Sequence, residues 1–225
     1  MTGVLSRVGG LFTSDGFKNY LESLRYGLFT MRRPMVGFWD LIHEKRGTMA
    51  AAHTFVVLMI IVEIMRITMT NFQFILVYLD AFNVFFAISQ ILLPIFLWSV
   101  ANWSLTTLMD GKGRLGDIYM GTAYALVPMI IIRAALIPVS HIITHEEGMI
   151  YWTANSIGVI WFVMLLLVAM MEIHDYTMSK TILSSIFTVV ATGIIIFVFV
   201  IFFAVVSDGV TYFISLGREI IFRMR

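Results

Sequence analysis

Long apolar stretches separated by small clusters of charge set the pattern of this chain. Between Arg46 and Glu63 lie 16 uncharged residues, and apolar character continues beyond Arg66. Asp80 and Asp110 enclose 29 uncharged residues, Glu147 and Glu172 enclose 24, and Lys180 and Asp208 enclose 27. Arg133 is the single charge between Asp117 and Glu146. A helix crosses a hydrocarbon layer roughly 30 Å thick with about 20 mostly apolar residues, at about 1.5 Å per residue. The pattern therefore predicts five spans, near 50–69, 82–104, 118–140, 150–171 and 182–206. Strands are excluded because the runs are long and show no polar alternation. The stretch 67–79 is a competing extra crossing, but its 13 residues are short for one.

Two flanking segments have a one-sided pattern instead. In 15–31, Phe17, Tyr20, Leu21, Leu24 and Leu28 follow helical spacing, with Lys18, Asn19, Glu22 and Arg25 opposite. Ser14 or Asp15 can cap this helix, and Pro34 stops it from running on. Such a face, too short to make its own core, belongs on the lipid interface or on a partner. Residues 210–225 repeat the theme, with Val210, Phe213, Ile214, Ile220 and Ile221 set against Arg218, Glu219 and Arg223. The expected organisation is all-α and polytopic: a cytoplasmic segment with an interfacial helix at 1–49, five transmembrane helices at 50–206, and an amphipathic interfacial helix at 207–225.

Composition supports lipid as the solvent. The chain is 60% hydrophobic and 13% charged, where soluble domains average about 45–50% and 25%. With no cysteine and a net charge of +1, disorder, nucleic-acid binding and a disulfide scaffold are excluded, as are thiolate metal sites and thiol nucleophiles. The distribution of charge says more than its sum. Lys45, Arg46 and the upstream basic residues place the N-terminal end in the cytoplasm, and Lys112, Arg114 and Lys180 place the second-to-third and fourth-to-fifth loops there too. The third-to-fourth loop carries Glu146 and Glu147 without Lys or Arg, so it faces out. Five spans then put the C-terminal end outside, although Arg218, Arg223 and Arg225 pull the other way; late charges weigh less on topology. No continuous apolar core of a cleaved signal peptide is expected in the first 50 residues.

The stretch 96–128, FLWSVANWSLTTLMDGKGRLGDIYMGTAYALVP, is the most informative. Ser99, Asn102, Thr106 and Asp110 share a helical face at the end of span two. Asp110-Gly111 is a turn signal, Gly113 adds freedom, and Asp117 can cap the next helix. Gly121 and Ala125 form a small-xxx-small pair that permits close helix approach, with Pro128 following. Spans two and three thus form a hairpin with a polar, glycine-rich tip, and Asp110, Gly111, Lys112, Gly113 and Asp117 are its candidate partner-facing residues. The tip lacks the sequence of a phosphate loop.

This hairpin, with the upstream segment RRPMVGFWDLIHEKRGTMAAA at 32–52, resembles the Yip1-domain family, in its bacterial branch, over about residues 30–180. The resemblance implies five spans, a cytoplasmic N-terminus and a lumenal or external C-terminus. Eukaryotic members engage prenylated Rab GTPases through an Asp-Leu-Tyr-Gly-Pro signature, whereas here Asp40-Leu41 continues Ile-His-Glu. Bacterial relatives look like accessory membrane proteins, some of them associated with transporter components.

Charges at bilayer depth come next, since each costs several kcal/mol and must face protein or water. Glu63 and Arg66 are spaced i, i+3 on span one, and Arg133 lies well inside span three. Glu63 and Arg133 sit at the same depth, so a pair between them is expected, either as a structural tie or, with Asn102, as part of a solute path. His141, His145 and Glu146 are a weak zinc pattern in the outer loop, while His174 lies in an inner loop on the other side of the membrane. His-Glu-x-x-His, Gly-x-Ser-x-Gly and Gly-x-Gly-Asp are absent, and the 16 methionines are scattered as packing residues. The expectation is a non-enzymatic integral membrane adaptor, without cofactor or metal, in a bacterial plasma membrane. Its partners would be membrane lipid and other integral membrane proteins, such as subunits of an ABC-type transporter, or a second copy. The alternative is a small-solute carrier or channel.

Overall fold

The computed structural model describes residues 14–75 and 82–223. Among the described residues, eight helices carry the fold: α1 (Ser14–Arg32), α2 (Pro34–His43), α3 (Met49–Met69), α4 (Val84–Leu108), α5 (Leu115–Ala125), α6 (Val127–Val139), α7 (Gly148–His174) and α8 (Met178–Arg223), with single 3-10 turns at Phe72–Phe74 and His145–Glu147. There is no strand among the described residues. Five stretches among the described residues are long and apolar enough to cross a membrane: Met49–Met69, Val84–Leu108, Leu115–Val139, His145–His174 and Met178–Leu216. They coincide with the five spans expected from the spacing of the charges, so the chain is an all-α polytopic membrane protein. The competing crossing at 67–79 lies partly outside the described residues; its described part is the end of α3 and the Phe72–Phe74 turn.

Local chemistry explains the boundaries. Thr48 caps α3, its hydroxyl accepting from the Ala51 N–H at 3.2 Å, and Asn83 caps α4 through the N–H groups of Phe85 and Phe86. The third span is two helices. Pro128 has no N–H to offer the Tyr124 carbonyl, and at Leu126 the ladder tightens to a 3-10 bond, N–H to Ala123 O at 3.3 Å. Pro128 was expected to serve helix packing; it is buried as that requires, and it also sets this break.

The core is where α3, α5 and α7 meet, closed by α2. Ala51, Ala52 and Met59 of α3, Ile118, Ala123 and Tyr124 of α5, and Leu165, Ala169 and Met170 of α7 are buried together with Phe38 and Leu41 of α2. The expected small pair works here: a Cβ on Gly121 would lie 2.7 Å from Ile173 Cδ1 and 3.3 Å from Ala169 Cβ, and Ala125 is fully buried.

The two ends of the bundle differ in charge. At one end lie α1, α2, the α4–α5 tip and the α7–α8 junction, with Arg25, Arg32, Lys45, Arg46, Lys112, Arg114 and Lys180. At the other, the Asn71 N–H bonds Ser140 Oγ at 3.0 Å, His141 bonds the Met69 carbonyl at 2.7 Å, and Phe74 stacks on Tyr151. The loops 70–75 and 140–147 at that end carry no lysine or arginine.

Helix α8 departs from the rest. Only its first third is packed, through the buried Thr181, Ser184, Ser185 and Thr188, while 189–216 is exposed along nearly its whole length. The expected amphipathic segment at 207–225 is helical through Arg223 and continues from the fifth span without interruption.

Candidate functional site

Two polar constellations are built into the bundle, one at its basic end and one inside it. The first begins with the polar face of α4. Ser99, Asn102 and Thr106 are all buried, Ser99 donating to the Ile95 carbonyl and Thr106 to the Asn102 carbonyl, each at 2.7 Å. Asp110 then takes a left-handed backbone (φ 57°), tolerable for an aspartate, and turns the chain so that the Gly111 N–H reaches the Thr106 carbonyl at 2.7 Å.

The tip is thereby laid against the end of α7. The Gly113 N–H donates to His174 Nδ1 at 3.2 Å. Because that nitrogen must accept, the proton of the neutral ring sits on Nε2, which donates to Asn102 Oδ1 at 3.0 Å. Asn102 Nδ2 continues the chain to Thr188 Oγ1 at 3.1 Å. One run of hydrogen bonds therefore joins the tip, α7, α4 and α8. Around it, the Met109 carbonyl accepts from Tyr176 Oη at 2.8 Å and Lys180 Nζ at 3.0 Å, and Lys112 pairs with Asp175 at 2.7 Å. The Lys112 ammonium holds the exposed Asp175 carboxyl below the usual carboxylate range.

The glycines of the tip are required by this approach. A Cβ on Gly111 would stand 2.7 Å from Thr106 Cβ, and one on Gly113 would overlap Ile173 Cγ2 and come within 2.7 Å of His174 Cε1. Gly113→Ala is expected to destabilise the protein by about 1–3 kcal/mol through overpacking, read as a lower unfolding temperature in detergent; an unchanged temperature would show that the tip is not held as described.

The tip was expected to present Asp110, Gly111, Lys112, Gly113 and Asp117 to partners. The structure turns Gly113 inward to α7, keeps Lys112 exposed in its pair with Asp175, and uses Asp117 locally, its carboxylate accepting from the Arg114 N–H at 3.3 Å. Asp110 stays exposed. His174, expected in an inner loop, is instead the last residue of α7 and the buried centre of this clamp. No spacing pattern signals it, because its partners lie 61 and 72 residues away.

The second constellation is the ionic cluster of α3 and α6. Glu63 is almost fully buried; its Oε2 accepts from Arg133 Nη1 and its Oε1 from Arg66 Nη2, both at 2.6 Å. The expected Glu63–Arg133 pair thus forms, with Arg66 as a third member. Arg133 Nε has no partner among the described residues.

On the basic end, α1 and α2 cover the bundle. Tyr124 Oη lies 2.7 Å from Ser23 Oγ, which also accepts from the Thr48 N–H at 3.0 Å, and Tyr20 Oη meets Thr54 Oγ1 at 2.7 Å. Burial and the neighbouring Asp40 carboxylate, 2.8 Å away, push the Tyr26 hydroxyl's pKa up. The face turned inward is Ser23, Gly27 and Thr30, all buried; of the apolar face expected on lipid or a partner, Tyr20 and Leu24 are half-buried and Leu21 and Leu28 exposed. Phe17 belongs to α1, but its side chain is outside the described residues. Small and hydroxyl side chains win the inner face because Gly27 lets Phe55 come within what would be 2.6 Å of a Cβ.

His141, His145 and Glu146 do not converge, and no group of three His, Asp or Glu residues among the described residues is placed to hold a metal.

A polytopic helical bundle whose second and third spans form a clamped hairpin, preceded by a helical cover, is the class of membrane protein this geometry defines. The Yip1 domain family model matches residues 28–201, from the end of α1 into α8, and the chain belongs to that family. Comparison with curated proteins and with solved structures found no match.

Proposed function

We propose that this protein is a non-enzymatic membrane adaptor whose basic end faces the cytoplasm and whose last helix holds another integral membrane protein, such as a subunit of an ABC-type transporter in a bacterial plasma membrane. One observation carries the reading. Helix α8 has 46 residues, so it is about 69 Å long at 1.5 Å per residue, more than twice a hydrocarbon layer of roughly 30 Å. Lipid can cover the apolar stretch from Thr181 to Ser207, but Tyr212, Phe213, Ile214, Leu216 and Phe222 beyond Asp208 are all exposed. A patch of that kind is how interaction surfaces present themselves.

The test is site-specific photocrosslinking in native membranes from Phe199 and Phe213, with native mass measurement of the full chain in gentle detergent. Crosslinks from both positions to one other membrane protein are expected. A lone protomer with no crosslink at either position overturns the proposal. A second reading, a small-solute carrier or channel with Arg133 and Glu63 in its path, draws on the net positive charge of the Glu63–Arg66–Arg133 cluster and on the unpartnered Arg133 Nε. Flux in liposomes that is lost on Arg133→Gln would favour it.

A further inference from the structure

Between α1 and the 45–48 segment lies an open cleft of about 1110 Å³. Four cations line it, Arg25, Arg32, Lys45 and Arg46, against the single carboxylate of Glu22. On α1, Glu22, Arg25, Phe29 and Arg32 fall on one helical face over three turns. Across from them, the left-handed backbone at Lys45 (φ 54°) turns the chain between α2 and α3. Arg46 is shared with Glu44 at 2.8 Å and stands 5.8 Å over the Tyr26 ring. Arg25, Arg32 and Lys45 make no ion pair among the described residues. The cleft is therefore electropositive in excess of its own carboxylate. Its walls also include Leu28, Phe29 and Met31, and Leu28 and Phe29 are exposed, as are Met35, Val36 and Trp39 on the adjoining α2.

We propose that this cleft binds the phosphate group of an anionic membrane lipid. Charge alone would serve any phosphate, but the apolar rim favours an acyl chain attached to it. Basic pockets at the cytoplasmic ends of membrane helices hold anionic headgroups in this way. The lipid would dock α1 onto the interface through Leu21, Leu28 and Phe29, apolar residues of α1 that are exposed. The inference is independent of the adaptor reading, since the cleft and α8 are separate surfaces.

The test is a titration of the full chain, delipidated in mild detergent, by native mass spectrometry with phosphatidylglycerol, phosphatidylcholine and inorganic phosphate. Phosphatidylglycerol is expected to bind more tightly than either of the others. Arg25→Gln/Arg32→Gln/Lys45→Gln should weaken it about a hundredfold, each cation near an anionic headgroup contributing roughly a factor of five. Lys112→Gln/Arg114→Gln, neither of which lines the cleft, should leave it unchanged. If the triple variant does not fold, the exposed Arg32→Gln alone should cost about fivefold. Equal binding of the two lipids, binding of inorganic phosphate as tight as that of phosphatidylglycerol, an unaffected cleft variant, or an equal loss in the Lys112→Gln/Arg114→Gln variant would each overturn the proposal.

Discussion

Glu63→Leu is expected to lower the unfolding free energy by about 3–5 kcal/mol, because it leaves two guanidinium groups in the bundle without their carboxylate. Glu63 sits between Arg66 and Arg133, at 2.6 Å from each, with 7% of its side chain exposed. Arg66, at 25%, is the more accessible of the two arginines and lies within a turn of the end of α3, so its stem can carry the charge outward. Arg133, at 15%, has no such exit. Glu63→Leu/Arg133→Met should recover most of the loss, since apolar replacement of a whole buried pair is often neutral or stabilising. Chemical unfolding in detergent micelles gives both values. A double variant no more stable than Glu63→Leu would mean that the cost lies in packing around Glu63 and not in the orphaned charge.

Glu63 and Arg133 were legible as a pair because each lies in an apolar run at matched depth, and lipid leaves a buried charge few partners to choose from. The five spans were legible for the same reason: in 82–104 and 150–171 the medium demands length and apolarity, and the chain supplies both without a charged residue. Other features depend on shape. Ser23, Gly27 and Thr30 form the inner face of α1 although their hydropathy says little, since what counts there is how closely α1 can approach Phe55 and Tyr124. The hydrophobic stripe pointed to a face for lipid or a partner and left this inner face unread; Leu21 and Leu28 are exposed. The run from 178 to 223 read as a span followed by an interfacial segment because Asp208 interrupts its apolarity; it does not break the helix, as a charge mid-helix costs little propensity. His174 was the hardest to place. Beside Asp175 it resembles a solvated turn, and only the fold reveals that Gly113 and Asn102 occupy both its nitrogens.

That histidine is the subject of the second large effect. His174→Leu is expected to cost about 2–4 kcal/mol, as it leaves the Gly113 N–H and Asn102 Oδ1 unpaired in a buried setting, at about 1–3 kcal/mol for each orphaned group. Asn102→Leu should cost slightly less, because its main casualty is the His174 Nε2–H; Thr188 keeps its bond to the Ser184 carbonyl at 2.8 Å. The double variant should lose less than the sum of the two, with a coupling of about 0.5–3 kcal/mol, since each change removes a group that the other would strand. Hydrogen exchange separates this account from simple loss of core volume. With the clamp broken, the Gly113 amide and the α7–α8 junction should exchange faster, while α3 around Glu63 keeps its protection. Uniform loss of protection across both regions would assign the cost to packing instead. The distinction bears on function, because the clamp fixes the exposed Asp110, Arg114 and Lys112–Asp175 rim that an incoming partner would meet. A variant that frees the tip without unfolding α3 should therefore alter partner capture at the basic end and leave crosslinks from the far half of α8 intact.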